Sequence, residues 1–376
     1  MSSSSPRPIY LVGIETAVPE FACPQNKIRD FMLEVQGDTE RKRSFIQKVY
    51  AGSAIERRYS VLPDFILPLE ERTFFPRNKE LEPEPTTAAR NALFCVEANN
   101  LAALAAERLL ARIPTLKKNE ITHLITVSCT GFSAPGFDYH LVKELGLEPG
   151  VHRFHLGFMG CFAAFPALKL AQSLCLSQPG AKVLIVDVEL CTLHFQKTFE
   201  PDTVVANALF ADGAAAVLVT DDLGLVTEEG TPRLQLSDFA SRLIPGSDKE
   251  MAWIIGEHGF DMKLSSYVPR LIEHNIPTIL DELFQQAGWT KNDELMWAVH
   301  PGGRAILDKT TAVLGLEEGA LDVSYQVLAS YGNMSSATIF FVLKALLEKG
   351  RLGPVFACAF GPGLTVESAL MAVIPS

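Results

Sequence analysis

Short apolar segments alternate with helical segments along nearly the whole chain, and this alternation restricts the fold more than any other feature. In the first half, strands are expected at 9–18, 123–128, 151–156, 181–188 and 213–219, and helical segments at 28–52, 86–112, 139–145, 162–176 and 202–209. Buried strands separated by helices indicate an α/β protein whose sheets are covered on both faces.

The second half repeats this rhythm. Strand-like pieces are expected within 234–264 and at 295–299, 355–360 and 364–372, with helices at 268–287, 304–314 and 333–349. Each half places a buried helix after a reactive turn, which predicts an internal duplication. The expected domains are residues 1–230 and 231–376. A chain of 376 residues is long enough for this arrangement and for a large core.

The net charge of −11 argues against a nucleic-acid-binding protein, whose surface would be basic. It does not argue against an anionic ligand held by a local basic patch. No run of 18 apolar residues occurs, so no transmembrane segment is expected.

Seven cysteines are widely spaced, and none forms a Cys-x-x-Cys pair. This pattern indicates neither a zinc site nor a disulfide framework, so no metal is expected. Residues 1–8 are Ser-rich and lack the apolar stretch of a signal peptide. Reduced thiols in a cytoplasmic protein are the simplest interpretation.

Cys161 is the strongest candidate for chemistry. It follows Gly157 and Gly160 at the end of an expected buried strand and precedes an apolar helix. A thiol at a helix N-terminus is expected to be stabilised as thiolate by the helix dipole and unpaired N–H groups. The alternative is core packing, which is the usual role of a cysteine on an apolar helix and the one expected for Cys95, Cys175 and Cys358.

His300 and Asn333 supply what a nucleophilic thiolate needs. His300 ends an apolar strand before Pro301, and Asn333 follows Gly332. Alone, the first is best explained as a turn histidine and the second as a helix N-cap. A histidine beside Cys161 is expected to give a thiolate–imidazolium pair that is nucleophilic at neutral pH and can take an acyl group from a thioester. If a malonyl thioester is then decarboxylated, the imidazole N–H and the carboxamide stabilise the enolate oxygen.

Other candidates have simpler structural interpretations. Cys191 and His194 are spaced Cys-x-x-His without a second pair, which favours pocket lining or packing over zinc. Asp212 is expected in a turn, and Gly361-Pro362-Gly363 in a hairpin. A solvated face or a phosphate site would explain one basic cluster, which comprises Arg41, Lys42, Arg43, Lys48, Arg57 and Arg58.

Over nearly its whole length the chain resembles the chalcone synthase-like, or type III, polyketide synthases of the thiolase superfamily. The resemblance is carried by Gly160-Cys161-Phe162-Ala163, Leu209-Phe210-Ala211-Asp212-Gly213, His300-Pro301-Gly302-Gly303, Tyr331-Gly332-Asn333-Met334-Ser335-Ser336 and Phe360-Gly361-Pro362-Gly363-Leu364-Thr365-Val366-Glu367. It implies a thiolase fold of duplicated αβαβα halves in five layers, and a homodimer.

The resemblance also implies roles for residues. Cys161 would carry the starter and growing chain, and His300 and Asn333 would promote decarboxylation of malonyl-CoA. Phe210 would separate the coenzyme A tunnel from the cavity, with Met262 at a second gating position. Coenzyme A thioesters would be substrates, with no further cofactor. Coenzyme A phosphates would meet Lys48, Arg57 and Arg58, and the cavity would be lined by Cys129, Cys191, His194, Trp253, Ser335 and the Gly361-Pro362-Gly363 loop.

At two places the chain departs from the sequence pattern of the plant enzymes and resembles the microbial branch of the family, which makes alkylpyrones and alkylresorcinols from fatty acyl starters. These places are Ala164-Phe165-Pro166 after the cysteine motif and the stretch His258-Gly259-Phe260-Asp261-Met262. Trp253 would then steer an extra acyl tunnel or fill core space. Two alternatives are a β-ketoacyl synthase III-like enzyme that performs one condensation on carrier-protein substrates, and a non-catalytic thiolase-fold partner or acyl-carrier-binding module.

Overall fold

Long runs of small and β-branched residues form strands whose two faces are both buried, and these strands organise the molecule. The computed structural model describes residues 7–227, 230–265, 268–288 and 295–376. Residues 1–6, which include most of the Ser-rich segment expected to lack a signal peptide, lie outside the described residues.

The strands and helices follow one another in the alternating order that the sequence predicts. The strands are β1 Ile9–Ala17, β2 Phe21–Pro24, β3 Arg57–Ser60, β4 His123–Ser128, β5 His152–Gly157, β6 Lys182–Leu190, β7 Asp212–Thr220, β8 Arg233–Leu243, β9 Met251–Gly256, β10 Gly259–Leu264, β11 Met296–Val299, β12 Gly353–Gly361 and β13 Thr365–Ile374. The helices are α1 Gln25–Gln36, α2 Glu40–Gly52, α3 Thr87–Arg112, α4 Phe137–Leu145, α5 Ala164–Ser177, α6 Pro201–Leu209, α7 Val268–Ala287, α8 Arg304–Leu314, α9 Asp322–Tyr331 and α10 Thr338–Glu348.

The main sheet shows the duplication directly. Among the described residues it has nine strands in the order β11-β12-β13-β8-β1-β7-β6-β4-β5. In the first half β4 runs parallel to β5 and β6, β6 is antiparallel to β7, and β7 is antiparallel to β1. In the second half β11 is parallel to β12, β12 is antiparallel to β13, and β13 is antiparallel to β8. Strand β11 therefore corresponds to β4, and β8 to β1.

Three apolar clusters separate five layers. One packs α3 and α4 on the first half-sheet, and another packs α7 and α8 on the second. The third surrounds α5 and α10, which contribute Phe165, Leu168, Phe340 and Leu343 and pack against strands of both halves. The α/β thiolase fold of αβαβα layers is confirmed. The central helices α5 and α10 follow the turns that carry Cys161 and Asn333.

Several local expectations are wrong. The helical segment 28–52 is two helices, because Gly37 ends α1 and Thr39 caps α2 by accepting the Lys42 N–H at 3.3 Å. The expected helix 333–349 begins only at Thr338, after a 3-10 turn at Ser335–Ala337. Helix α9 was not expected.

Strand β5 is also not buried as expected. It is the outermost strand of the sheet, and most of its residues are exposed. In the described ranges, no helix is both long enough and apolar enough to cross a bilayer.

Candidate active site

The three residues proposed for catalysis come from separate elements of the two halves and line one cavity. Cys161 lies between β5 and α5, His300 directly follows β11, and Asn333 lies between α9 and the Ser335–Ala337 turn. Their exposed fractions are 7%, 1% and 2%. The fold therefore brings together three side chains that are distant in sequence, in a site largely shielded from water.

A tight backbone turn places the Cys161 thiol. Gly160 has φ of 85°, and a Cβ atom there would overlap the Pro362 ring. At Gly361, a Cβ atom would lie 2.5 Å from Phe162 Cδ1. Glycine is required at both positions because the two turns pack backbone against side chain. The hairpin predicted at Gly361-Pro362-Gly363 joins β12 to β13 and presses on the cysteine turn.

The surroundings of the Cys161 thiol disfavour the thiolate. Burial raises its pKa to about 12, and Glu189 and Asp187 act in the same direction, whereas the Ser335 hydroxyl bond lowers it. The expectation of a thiolate stabilised by the helix N-terminus is therefore wrong. Helix α5 begins only at Ala164, and burial of the sulfur outweighs the local dipole.

His300 is a neutral imidazole with free ring nitrogens. Burial lowers its pKa to about 3. Its backbone N–H donates to the Cys358 carbonyl at 2.8 Å, which fixes the main chain. Neither Nδ1 nor Nε2 has a hydrogen-bond partner among the described residues, so both are available to a substrate. A neutral ring offers one N–H donor and one acceptor.

The Asn333 carboxamide is held in one orientation. Its Oδ1 accepts the Ser335 backbone N–H at 2.9 Å, and its Nδ2 donates to the Gly302 carbonyl at 3.3 Å. Its own backbone N–H donates to the Leu209 carbonyl at 2.9 Å, rather than opening a helix. One amide proton remains for a ligand. The N-cap interpretation of Asn333 is therefore wrong.

We call the cavity that contains the triad the inner cavity. Its volume is about 30 Å³, which is room for roughly two waters. Most of the residues implied by the family resemblance line it together with the triad, namely Cys129, Cys191, Phe210, Trp253, Met262, Ser335 and Pro362. His194, Gly361 and Gly363 do not line it.

An outer cavity adjoins the inner one. Its volume is about 70 Å³. The two cavities share four lining residues, Cys191, Phe210, Trp253 and Met262. His194 lines the outer cavity, where its ring stacks on Phe260 with centroids 4.0 Å apart. Trp253 Nε1 donates to the Cys129 carbonyl at 2.6 Å, which fixes the indole in the dividing wall.

His194 serves packing rather than metal binding. Nε2 lies 2.7 Å from the Thr130 carbonyl and Nδ1 lies 3.1 Å from the Phe260 backbone N–H, so Nε2 carries the proton. Burial lowers the pKa of His194 to about 3. Within 7–227, 230–265, 268–288 and 295–376, no group of three or more His, Cys, Asp or Glu side chains is arranged to hold a metal.

One residue expected to bind coenzyme A has another role. Arg58 is 3% exposed; its Nε donates to Gln25 Oε1 at 2.9 Å and its Nη1 to the Phe210 carbonyl. The assignment of Arg58 to a phosphate site is wrong, because the guanidinium faces inward and supports the gating residue. Lys48 on α2 and Arg57 at the start of β3 are exposed.

Asp212 is more than a turn former. It begins β7, is fully buried, and accepts hydrogen bonds from Thr192 N–H and Oγ1 and from Val61 N–H at 2.6–2.8 Å. Burial raises its pKa to about 6. Asp212 therefore ties β7 to the turn that carries Cys191 and His194.

Sequence reasoning missed two carboxyl groups beneath the site. Asp187 and Glu189 are completely buried on β6 and lie within hydrogen-bond reach of the same Ser336 hydroxyl. The sequence could have indicated them, because two acidic residues two positions apart in an otherwise apolar strand lie on the same face and need hydrogen-bond partners when buried.

Comparison with known proteins agrees with this geometry. Residues 2–223 match the chalcone and stilbene synthase N-terminal domain, and residues 235–375 match the C-terminal domain of the same family. The chain belongs to the chalcone and stilbene synthase family. It is therefore a type III polyketide synthase, an acyltransferase of a family that uses acyl-CoA and malonyl-CoA.

Two solved type III polyketide synthases are similar over the full length. PKS-I from the brown alga Ectocarpus siliculosus is 28% identical, with a TM-score of 0.91 over 99% of this chain and 100% of that chain. The C-terminal type III polyketide synthase domain of Steely1, a type I/III hybrid from Dictyostelium, is 26% identical, with a TM-score of 0.89 over 98% and 99%.

Proposed function

We propose that this type III polyketide synthase extends a medium- or long-chain fatty acyl-CoA with malonyl-CoA and cyclises the product to an alkylpyrone or alkylresorcinol. Each extension is a decarboxylative Claisen condensation on the Cys161 thioester. The observation that carries the choice of starter is the outer cavity, which opens from the triad through a shared wall.

The triad geometry supports this chemistry. Cys161 attacks the starter thioester and releases coenzyme A. A malonyl thioester carbonyl then occupies the space between the His300 ring and the free Asn333 N–H, and loss of carbon dioxide leaves an enolate that both donors stabilise. The enolate carbon attacks the Cys161 thioester. Asparagine suits this position because a carboxylate would repel the enolate.

Space decides where an acyl tail goes. By the same measure the inner cavity has room for roughly two waters and the outer cavity for roughly five, so the outer cavity is the larger space, and its walls would move apart to take a fatty chain. The outer cavity continues from Cys191 and Met262 between α1, α6 and β10, where apolar side chains form its far wall. These are Cys23, Ile28, Met32, Phe65 and Phe195. An alkyl tail in this space would be shielded from water while its thioester stays at Cys161.

The starter proposal is tested with labelled malonyl-CoA and a series of saturated starters from acetyl-CoA to stearoyl-CoA, with products identified by mass spectrometry. We expect pyrones or resorcinols from the longer starters and none from Cys161→Ala. Turnover of short starters only would contradict the proposal. Strict dependence on acyl carrier protein with a single extension would instead favour the β-ketoacyl synthase III-like alternative, and activity of any kind would exclude the non-catalytic binding module.

Coenzyme A is proposed to approach over α2 and β3. Lys48 and Arg57 are exposed there, and Arg57 precedes the buried Arg58, which donates to the carbonyl of Phe210 beside the inner cavity. Exposed cations would meet the phosphates while the pantetheine arm reaches past Phe210. Charge reversal at Lys48 is expected to raise the KM for acyl-CoA more than it lowers kcat.

A homodimer formed through β5 is also proposed. Among the residues that the structure describes, no strand pairs with the outer side of β5, and exposed aromatic side chains lie on it and beside it. Phe154 is 37% exposed on the strand, and Phe158 and Phe132 are 39% and 51% exposed beside it. An unpaired edge with apolar flanks is suited to antiparallel pairing with a second copy.

A reducing compartment such as the cytoplasm is proposed for this protein. All seven cysteines are free, and six of them are buried. Three of the buried thiols, Cys129, Cys161 and Cys191, line one cavity, and free thiols in this number are usual in a reducing compartment.

A further inference from the structure

The end of helix α6 is held by side chains from two other helices. The last carbonyl groups of a helix have no partner within the helix and need donors from elsewhere. Here the Tyr50 hydroxyl donates to the Asn207 carbonyl at 3.2 Å, and Gln25 Nε2 donates to the Ala208 carbonyl at 2.8 Å. Tyr50 and Gln25 are both buried and come from α2 and α1. The position of this helix end therefore depends on the elements around it.

The next two carbonyl groups connect the helix end to the triad. The Leu209 carbonyl accepts the Asn333 backbone N–H at 2.9 Å, and the Ala211 N–H donates to the Asn333 carbonyl at 2.8 Å. These two bonds form a parallel bridge between Phe210 and Asn333. The Phe210 carbonyl itself accepts Arg58 Nη1. A shift of the Phe210 backbone is therefore expected to move Asn333 as well.

The Arg58 side chain supports both sides of this bridge. Its Nε donates to Gln25 Oε1 at 2.9 Å while its Nη1 donates to the Phe210 carbonyl. Its aliphatic stem lies against Gly332, where a Cβ atom would be 2.7 Å from Arg58 Cγ. Gly332 has φ of 73° and immediately precedes Asn333. Arg58 thus holds the Phe210 side by a hydrogen bond and the Asn333 side by packing.

The charge of Arg58 is costly to bury at this place. The residue is 3% exposed, and in the part of the chain that the structure describes no carboxylate forms an ion pair with it. The negative end of the α6 dipole offsets part of this cost. An apolar side chain of similar length would fill the space without it. The guanidinium is therefore best explained by the two acceptors that it fixes.

We propose that Arg58 is a positioning residue for decarboxylation of the malonyl thioester and acts through the Phe210–Asn333 bridge. This rests on the proposed role of Asn333 as a donor to the enolate oxygen. The guanidinium keeps the bridge in place, so that the free amide proton of Asn333 meets this oxygen as negative charge develops on it. Displacement of such a donor is expected to slow the chemical step more than it weakens binding of the thioester.

The role proposed for Arg58 differs from that of its neighbour Arg57. Consecutive residues of a strand face opposite sides, and on β3 Arg57 is exposed while Arg58 is buried. Arg57 is proposed to meet the phosphates of coenzyme A, so its loss should mainly weaken binding. Loss of Arg58 should mainly slow chemistry. The two adjacent arginines are therefore expected to have opposite kinetic effects.

The test measures release of labelled carbon dioxide over a range of malonyl-CoA concentrations in wild type, Arg58→Met and Arg57→Met. Methionine has an unbranched stem but no donor. For Arg58→Met we expect kcat to fall at least about tenfold while KM stays within about twofold of wild type. Arg57→Met is the matched comparison and should raise KM more than it lowers kcat. A raised KM with unchanged kcat in Arg58→Met would overturn the proposal.

A double-mutant cycle separates positioning from general damage to the fold. If Arg58 acts through Asn333, Arg58→Met should cost less than about twofold in kcat when Asn333→Ala is already present. An equal loss in both backgrounds would overturn the proposal. If Arg58→Met is too unstable to purify, Arg58→Lys retains the charge without the planar fork that reaches both acceptors. It should show a smaller loss of kcat with the same dependence on Asn333.

Failure of the proposed chemistry can be told apart from failure of the positioning role. An unchanged rate in Asn333→Ala alone would refute the role of Asn333 and, with it, the positioning proposal. A slowed Asn333→Ala with an unaffected Arg58→Met would refute the positioning role only. The assay needs no acyl starter, so its result does not depend on the proposed chain length.

Discussion

Replacement of Ala206 by leucine tests the position of the acyl tail quantitatively. Ala206 is buried on α6 and lines the outer cavity but not the inner one. Moving one methylene from water into an apolar cavity is worth about 0.8 kcal/mol, or roughly a fourfold change in kcat/KM. For wild type, kcat/KM is therefore expected to rise about fourfold per starter carbon until the tail fills the cavity.

Leucine adds three carbon atoms to the wall and displaces about three methylenes of the tail. The expected loss in kcat/KM for the longest accepted starters is about sixtyfold, with the optimum shifted to shorter chains. The assay is initial-rate kinetics across the saturated acyl-CoA series. The nearly isosteric Thr203→Val at the same wall serves as control and should keep the optimum. A uniform loss across all starters, or an unchanged optimum in Ala206→Leu, would refute the placement.

Four other substitutions test the site and the assembly. Asn333→Asp should slow release of labelled carbon dioxide from malonyl-CoA by about 10²–10³-fold, and an unchanged rate would contradict the enolate role. Gly160→Ala forces a Cβ against Pro362 at positive φ and should cost about 2–4 kcal/mol in urea unfolding. Between its lowered pKa of about 3 and its ordinary value, His300 binds a proton only in the unfolded protein, so acid lowers the free energy of unfolding of wild type in this range. Between about pH 6 and pH 4, the free energy of unfolding of His300→Ala should fall by about 1.4 kcal/mol less per pH unit than that of wild type. Phe154→Asp should yield monomers in sedimentation, whereas dimers would argue against the β5 contact.

Elements with local signals were predictable from the sequence. Helices α7 and α8 begin and end where the periodicity predicts. Gly315, with φ of 61°, ends α8 as a left-handed glycine does after a helix. The triad could be proposed because Cys161, His300 and Asn333 each follow a strand or precede a helix, at a turn marked by a neighbouring glycine or proline.

Features that depend on tertiary contacts were not predictable. The position of strand β5 at the end of the sheet was not predictable, although its two histidines and one arginine agree with its exposure. Helix α9 contains β-branched and aromatic residues with weak helical preference and is stabilised by packing. Arg58 stands in a basic cluster, yet its partners Gln25 and Phe210 are far away in sequence.

The ionisation of Cys161 likewise could not be predicted from the local sequence, because it depends on groups that only the fold brings close. A turn before a helix favours the thiolate locally, but the carboxyl groups of β6 and the depth of the cavity come from segments that no local pattern connects to the cysteine. Their combined effect on the thiol is larger and opposite in sign.

The matched strand orders of the two half-sheets have an evolutionary consequence. In an ancestor with one repeat, two identical copies would have paired with the same strand ends facing each other. Such a symmetric pair would have had two identical pockets. Here the corresponding ends of β4 and β11 hold Cys129 and His300, and the corresponding turns before α5 and α10 hold Cys161 and Asn333. Under the proposed mechanism one half would bear the acyl group and the other would activate the extender unit, so each half alone is expected to be inactive.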